Sequence, residues 1–260
     1  MTTHADVWYV FPGAIRNPGL LDGYRAILSQ GEISRYERFF FDRDRHLHLV
    51  AWALVRTMLS SYTDVNPEAW EFRTNRYGRP EISGPASTTT LRFNLSHTRG
   101  LIACIVARNI DVGVDVEDRR RDTSGPEIAR RFFSAREAAA LERLPRDEQA
   151  NTFFEYWTLK EAYIKAVGVG ISLGLGRFSF EFDDRGLHVD DPDRRAPTIS
   201  FDGLDDDPAA WQFAQFEPTP HHAMAVAIRR SDAEDLEIRL REVVPGLDDT
   251  RPAARNLTTR

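Results

Sequence analysis

Trp157-Thr158-Leu159-Lys160-Glu161-Ala162-Tyr163-Ile164-Lys165 holds both lysines of the 260-residue chain; elsewhere arginine carries the permanent positive charge. A chain that has drifted this far from lysine and keeps two of them five residues apart points to a need for an ammonium there. A compact ammonium is not interchangeable with a planar guanidinium. Glu161 lies one helical turn before Lys165 and shares its face. Phe153, Phe154, Tyr156, Trp157 and Tyr163 supply the anchoring bulk. The pattern predicts a helix over 153–167 with Lys160, Glu161 and Lys165 along one side. Read as a surface i,i+4 pair, Glu161–Lys165 would add only about 0.3–0.5 kcal/mol, and an exposed pair would tolerate arginine. The functional reading is the stronger.

Working outward, the chain repeats itself. Arg38-Phe39-Phe40 precedes an apolar helix over 47–61, and Arg131-Phe132-Phe133 precedes the helix over 153–167. Each helix is followed by an extended piece (70–73, then 178–182), a turn (77–80, then Asp183-Asp184-Arg185-Gly186) and two strand-like runs. These runs are 91–95 and 101–107 in the first half, 211–216 and 223–228 in the second. The order predicts an α+β fold of two similar lobes, 1–110 and 111–244, with a cleft at their junction, where binding sites commonly form. From Pro245 onward apolar periodicity is lost, and 245–260 reads as a flexible tail.

Val112-Gly113-Val114-Asp115-Val116-Glu117 alternates strictly, as a strand does, so Asp115 and Glu117 share one face. Adjacent carboxylates repel unless a cation lies between them, and hard oxygen ligands favour Mg²⁺ or Mn²⁺. Taken alone, this pair is equally a solvated strand end before Asp118-Arg119-Arg120-Arg121; Glu161 is the residue that would join it. Asn94, Ser96, His97 and Thr98 end a strand in a cluster of polar groups suited to phosphate. Ser96 and His97 point to opposite faces of an extended segment, which argues against a nucleophile–base pair. Tyr77-Gly78-Arg79-Pro80 is a tight turn. Arg35, Arg38, Arg43, Arg45 and Arg56 make the first helical region basic, either as a solvated face or as a pocket for a detached phosphate.

The bulk properties set limits. A net charge of -6 and pI near 5.7 argue against a nucleic-acid partner held by overall positive charge. The single cysteine, Cys104, excludes an internal disulfide and reads as core. No run approaches the length of a membrane span, and no signal peptide is legible, so the reading is a soluble, cytoplasmic protein.

The blocks Tyr77-Gly78-Arg79-Pro80, Phe93-Asn94-Leu95-Ser96-His97, Gly113-Val114-Asp115-Val116-Glu117 and Trp157 to Lys165, in this order, resemble the Sfp-type 4'-phosphopantetheinyl transferases. The resemblance spans about residues 35 to 230, and the last two blocks are its most specific part. It implies a monomeric pseudo-dimer of two α+β lobes with the active site between them. The reaction would transfer the phosphopantetheine arm of coenzyme A to a serine of an apo peptidyl or acyl carrier protein, without nucleic acid or membrane. It implies that Asp115, Glu117 and Glu161 hold Mg²⁺ (or Mn²⁺) and that Glu161, Lys165 and His97 act in catalysis. Coenzyme A would be bound by Arg43 or Arg45, Gly78, Arg79, Pro80, Asn94, Ser96, His97, Asp115, Lys160 and Lys165. The family often carries lysine where Arg79 stands. Arg119–Arg121 and Arg130–Arg131 read equally as solvated or as facing the carrier. A metal-dependent phosphodiesterase and a noncatalytic coenzyme A-binding module are the competing classes.

Overall fold

A computed structural model of the chain describes residues 4–85, 90–121, 125–182, 196–230 and 234–247. The first lobe runs β1 (His4–Val10), α1 (Pro18–Ile27), α2 (Gln30–Arg38), α3 (Asp42–Ser60), β2 (Glu71–Thr74), β3 (Pro80–Gly84), β4 (Leu91–Thr98) and β5 (Leu101–Arg108). The second repeats the order: β6 (Val112–Asp118), α4 (Gly125–Phe132), α5 (Ala135–Arg143), α6 (Arg146–Val167), β7 (Phe178–Glu181), β8 (Thr198–Phe201), β9 (Trp211–Thr219) and β10 (His222–Arg229). The order β1-β5-β4 in one sheet matches β6-β10-β9 in the other, and β2-β3 and β7-β8 form separate hairpins. The expected α+β pair of lobes is present.

Side-chain alternation explains the layering. Leu101, Ala103 and Ile105 of β5 meet Val112, Val114 and Val116 of β6 in a central core between the sheets. The other face of β5 (Ile102, Cys104, Val106) packs with α3. In β6 the residues opposite the valines are Gly113, Asp115 and Glu117, on the side of α6. Gly113 is required there: a Cβ would stand 2.0 Å from the Ala162 carbonyl oxygen and 2.6 Å from the Ala166 nitrogen. Its absence lets α6 lie almost on the strand.

The clearest mark of duplication is a buried ion pair. Ser29 and Glu32 form a reciprocal capping box at the start of α2, and Glu32 Oε2 accepts from Arg56 Nε at 3.0 Å. Ser134 and Glu137 cap α5 in the same way, and Glu137 Oε2 lies 2.7 Å from Lys160 Nζ. Arg56 also donates to the Pro67 and Trp70 carbonyls, as Lys160 does to those of Leu175 and Phe178. The anchors read from sequence, the two Arg-Phe-Phe runs, are one helix out of step. Phe39 follows α2, whereas Phe132 ends α4, the counterpart of α1.

Four strands have no counterpart in the sequence reading: β3 and β8, which complete the two hairpins, and two at the ends of the chain. β1 opens the first lobe, and β11 (Glu237–Glu242) pairs with it in parallel, His4 opposite Glu237 and Tyr9 opposite Glu242. Residues assigned to the second lobe thus complete the sheet of the first, covering what would be an open edge of β1. At the first residue of the segment read as a tail, the Tyr24 hydroxyl donates to the Pro245 carbonyl at 2.7 Å. The tail from residue 248 on, and the turn at 183–186, lie outside the described residues. Among those described, no helix is long and apolar enough to cross a membrane.

Lys160→Met would leave the Glu137 carboxylate buried and unpaired, and should cost about 3–5 kcal/mol in denaturant unfolding. Lys160→Arg, the residue the first lobe uses, should lose less than half of that. Equal losses in the two variants would refute the equivalence of the pairs.

Candidate active site

The lobes meet along β4 and β6 through side chains. Asn94 Oδ1 accepts from the Val114 N–H (3.0 Å), Ser96 Oγ from Val116 (3.3 Å) and Thr98 Oγ1 from Asp118 (3.2 Å). Alternate side chains of one strand satisfy alternate amides of the other, where a backbone ladder would otherwise be needed. This register sets Ser96 beside Asp115. Lys165 on α6 closes the group, with Nζ 2.6 Å from Asp115 Oδ1 and 2.8 Å from Ser96 Oγ, while Ser96 donates to Asp115 Oδ1 at 2.9 Å. The Ser96 hydroxyl, with one bond donated and two accepted, is fully engaged.

Three carboxylates crowd this point. Burial first, then the charge of Asp115, pushes Glu117 up to about 7, against the Arg121 guanidinium (3.2 Å) and a hydrogen bond from Trp157. Burial, then Asp115, also raises Glu161. Asp115 Oδ2 and Glu161 Oε1 are buried without a hydrogen-bond partner. Among the described residues no group of three His, Cys, Asp or Glu closes around one point. A Mg²⁺ ion, however, takes one or two carboxylates and completes its shell with phosphate and water. Two orphaned carboxylate oxygens in a site of excess negative charge fit such an ion.

Two cavities adjoin these residues, one lined by Glu161 and Lys165 and one by Arg121. The smaller, about 270 Å³, has the turn Tyr77–Pro80 on one wall and Glu161, Ile164 and Lys165 on the other, with Asn94 between. The larger, about 680 Å³, is basic, lined by Arg43, His46, His97, Arg99, Arg120 and Arg121 among others. His97 is exposed to it and held below its ordinary pKa, first by desolvation in the cavity wall and then by the Lys165, His48 and Arg35 charges.

Of the residues expected at the site, Ser96, Asp115, Glu117, Glu161 and Lys165 converge. Gly78, Arg79, Pro80 and Asn94 line the smaller cavity, and Arg43 and His97 the larger. Lys160 does not belong. It is fully buried, on Glu137 and two carbonyls, because five residues on a helix turn a side chain roughly 140° from Lys165. Arg45 is also used elsewhere, donating to the Phe39 carbonyl and Asp42 around the start of its own helix. Asn94 Oδ1 and Ser96 Oγ serve the seam. Arg119, Arg120 and Arg121 are paired within the chain, with Glu217, Asp118 and Glu117. Sequence reasoning missed His46 and Arg99. Arg99 follows the polar block directly, the one signal that could have flagged it.

A carboxyl whose folded-state pKa exceeds its unfolded value holds its proton more tightly in the folded chain. Stability of the metal-free protein should therefore fall as pH rises from about 4.5 to about 7 through Glu117, with the full loss present above that window. Glu161 shifts in the same direction and adds to the slope. Glu117→Gln should flatten the profile. A parent melting temperature level from about pH 5 to about pH 8 would refute the burial argument.

Residues 111–227 match the profile of the 4'-phosphopantetheinyl transferase superfamily, and residues 21–109 that of the 4'-phosphopantetheinyl transferase N-terminal region. The 4'-phosphopantetheinyl transferase HetI of Nostoc sp. is 36% identical over 152 residues, 58% of this chain and 64% (just under two thirds) of that protein. A 4'-phosphopantetheinyl transferase of Bacillus subtilis is 33% identical over 177 residues, 68% of this chain and 76% of its own length. The 4'-phosphopantetheinyl transferase Sfp of Bacillus subtilis (strain 168) is 30% identical over 175 residues, 67% of this chain and 75% of that protein. With both lobes matched in chain order and the carboxylate–lysine cluster between them, this chain belongs to the 4'-phosphopantetheinyl transferase family of enzymes.

Proposed function

We propose that the chain transfers the 4'-phosphopantetheine arm of coenzyme A to the serine hydroxyl of an apo peptidyl or acyl carrier protein, releasing adenosine 3',5'-bisphosphate, with Mg²⁺ or Mn²⁺ as counter-ion. The observation that carries this reading is the pair of orphaned oxygens, Asp115 Oδ2 and Glu161 Oε1, beside Lys165, with Glu161 and Lys165 lining the smaller cavity. Mg²⁺, when held by Asp115 and Glu161 with Glu117 beside them, supplies the positive charge that a pyrophosphate needs at this carboxylate-rich point.

The rest is the work of the chain's own groups. Coenzyme A brings about four negative charges, which only a preorganised cationic environment can accept before an alkoxide approaches. The turn Gly78–Pro80 receives the nucleobase. His97 and Arg43 stand in the wall of the larger cavity, where phosphate oxygens would find donors. Lys165, on the wall of the smaller cavity and bonded to Asp115 and Ser96, reaches the phosphate being transferred. Glu161 takes the proton of the carrier serine as its oxygen bonds to phosphorus, and the phosphorus–oxygen bond to the leaving bisphosphate breaks. Burial raises the Glu161 carboxyl above its ordinary pKa in the metal-free chain, and a bound divalent ion would draw it down again. Since one chain supplies both lobes, the acting species in this reading is a monomer.

Intact-mass measurement of an apo peptidyl carrier incubated with the protein, coenzyme A and Mg²⁺ should show the gain of one phosphopantetheine, abolished by EDTA. Glu161→Gln should slow the gain by about 10²-fold or more. No gain on peptidyl or acyl carriers would sink the reading, and transfer at the parent rate by Glu161→Gln would remove Glu161 as the base.

A further inference from the structure

The turn between β2 and β3 does more than line a cavity. Asn75 organises it: its Oδ1 accepts from the backbone N–H groups of Tyr77 and Arg79 (2.9 and 3.1 Å), and its backbone N–H donates to the Arg79 carbonyl (2.9 Å). Two side chains then cross to the other lobe. Asn75 Nδ2 donates to the Gly168 carbonyl at 3.1 Å, and Arg79 donates from a terminal nitrogen to the Ala166 carbonyl at 2.8 Å. Ala166 lies in the last turn of α6, and Gly168 is its left-handed C-cap (φ 77°). The last carbonyls of a helix have no partner within it, and a cation there also meets the negative end of the helix dipole. The fit is close, since a Cβ on Gly168 would come within 2.9 Å of an Arg79 nitrogen. The helix so capped is the one that carries Glu161 and Lys165, and the capping turn is the opposite wall of the cavity those residues line.

We infer that Asn75 and Arg79 are positioning residues, fixing the end of α6, and through it Lys165 and Glu161, at a set distance from the turn that receives the nucleoside. In this arrangement the Arg79 side chain is a cross-lobe bolt rather than a ligand contact. The inference rests on the coenzyme A reading of the cavity for its kinetic consequence, but not for its structural one. Its rival is also visible: Arg79 Nε is buried without a hydrogen-bond partner, so a bound nucleotide would have a donor to use if it reached it.

Arg79→Met and Asn75→Ala are to be compared with Arg79→Lys, which keeps one donor for the Ala166 carbonyl. Three quantities are read: amide hydrogen exchange in the last turn of α6, the affinity for adenosine 3',5'-bisphosphate by calorimetry, and kcat against KM for coenzyme A. The bolt predicts faster exchange at Gly168 in Arg79→Met and Asn75→Ala, with exchange in α3 unchanged. For Arg79→Met, which leaves the Asn75 bonds that shape the turn in place, it predicts nucleotide affinity and KM within about twofold of the parent and kcat lower by about tenfold, as a small misplacement of reacting groups produces. Arg79→Lys should restore most of both effects. Unchanged exchange in all three variants would overturn the bolt. So would a fall in nucleotide affinity and a rise in KM with kcat intact, because Arg79 would then be reading the ligand. If the parent protein transfers no arm at all, the exchange data still decide the bolt, and it is the activity reading that fails.

Discussion

The seam between β4 and β6 is the constraint on which the rest depends. Its three bonds run from β6 amides to the side-chain oxygens of Asn94, Ser96 and Thr98. A ladder of backbone bonds would fuse the two sheets and bring the strands to ladder spacing. Side-chain acceptors hold them further apart and place a hydroxyl, rather than a carbonyl, next to Asp115. Lys165 can then bridge Ser96 and Asp115 at the edge of a cavity instead of in a sealed interior. Loss of one acceptor would strand a β6 amide, a buried group that costs about 1–3 kcal/mol when unsatisfied.

The two lobes share a framework but not a site, and the register shows where they part. β1 pairs with β5 as β6 pairs with β10. On the face toward its long helix β1 presents Asp6, Trp8 and Val10, where β6 presents Gly113, Asp115 and Glu117. Aligned on their buried cations Arg56 and Lys160, α3 offers Thr57 where α6 carries Glu161, and Ser61, just past its end, falls where Lys165 stands. Asp6 stands where Gly113 would, so α3 is denied the close approach to its strand that α6 enjoys. Both lobes keep the capping box and ion pair that pin the long helix; one of them keeps the carboxylates.

What was legible in the sequence follows from locality. The strict alternation over 112–117 announces a strand with its acids on one face, and the structure places Asp115 and Glu117 there. The Glu161–Lys165 spacing announces a shared helical face for the same reason. Lys160 was misread because scarcity of lysine says nothing about direction. Its partner, Glu137, was visible as the fourth residue of a Ser-x-x-Glu helix start, the capping-box signature, repeated at Ser29–Glu32. β11 also has a local signal, Leu236, Ile238 and Leu240 in alternation, all buried. Its partner, however, is a parallel strand at the opposite end of the chain, and nothing local names that pairing. The same holds for the bonds from Asn75 and Arg79 to α6, which join residues some ninety positions apart.

The electrostatics of the cluster set the demand that a ligand must meet. Glu117 and Glu161 are both raised by burial and by Asp115, so the folded chain holds more negative charge here than the interior comfortably accommodates. The cations in contact are Lys165 on Asp115 and Arg121 on Glu117. Arg121 is more than half exposed at its side chain, where solvent weakens the pair, and Lys165 is about a quarter exposed on the cavity wall. Two cations that both reach solvent and two orphaned oxygens make a site that is incompletely neutralised by its own side chains. Divalent charge is the component that would complete it, and either cation could then turn from its carboxylate to a phosphate. An arginine at 165 would tie up a planar fork where a single, swivelling ammonium must serve Ser96, Asp115 and a ligand in turn. That is the physical sense in which a chain with thirty-two arginines retains a lysine at this position.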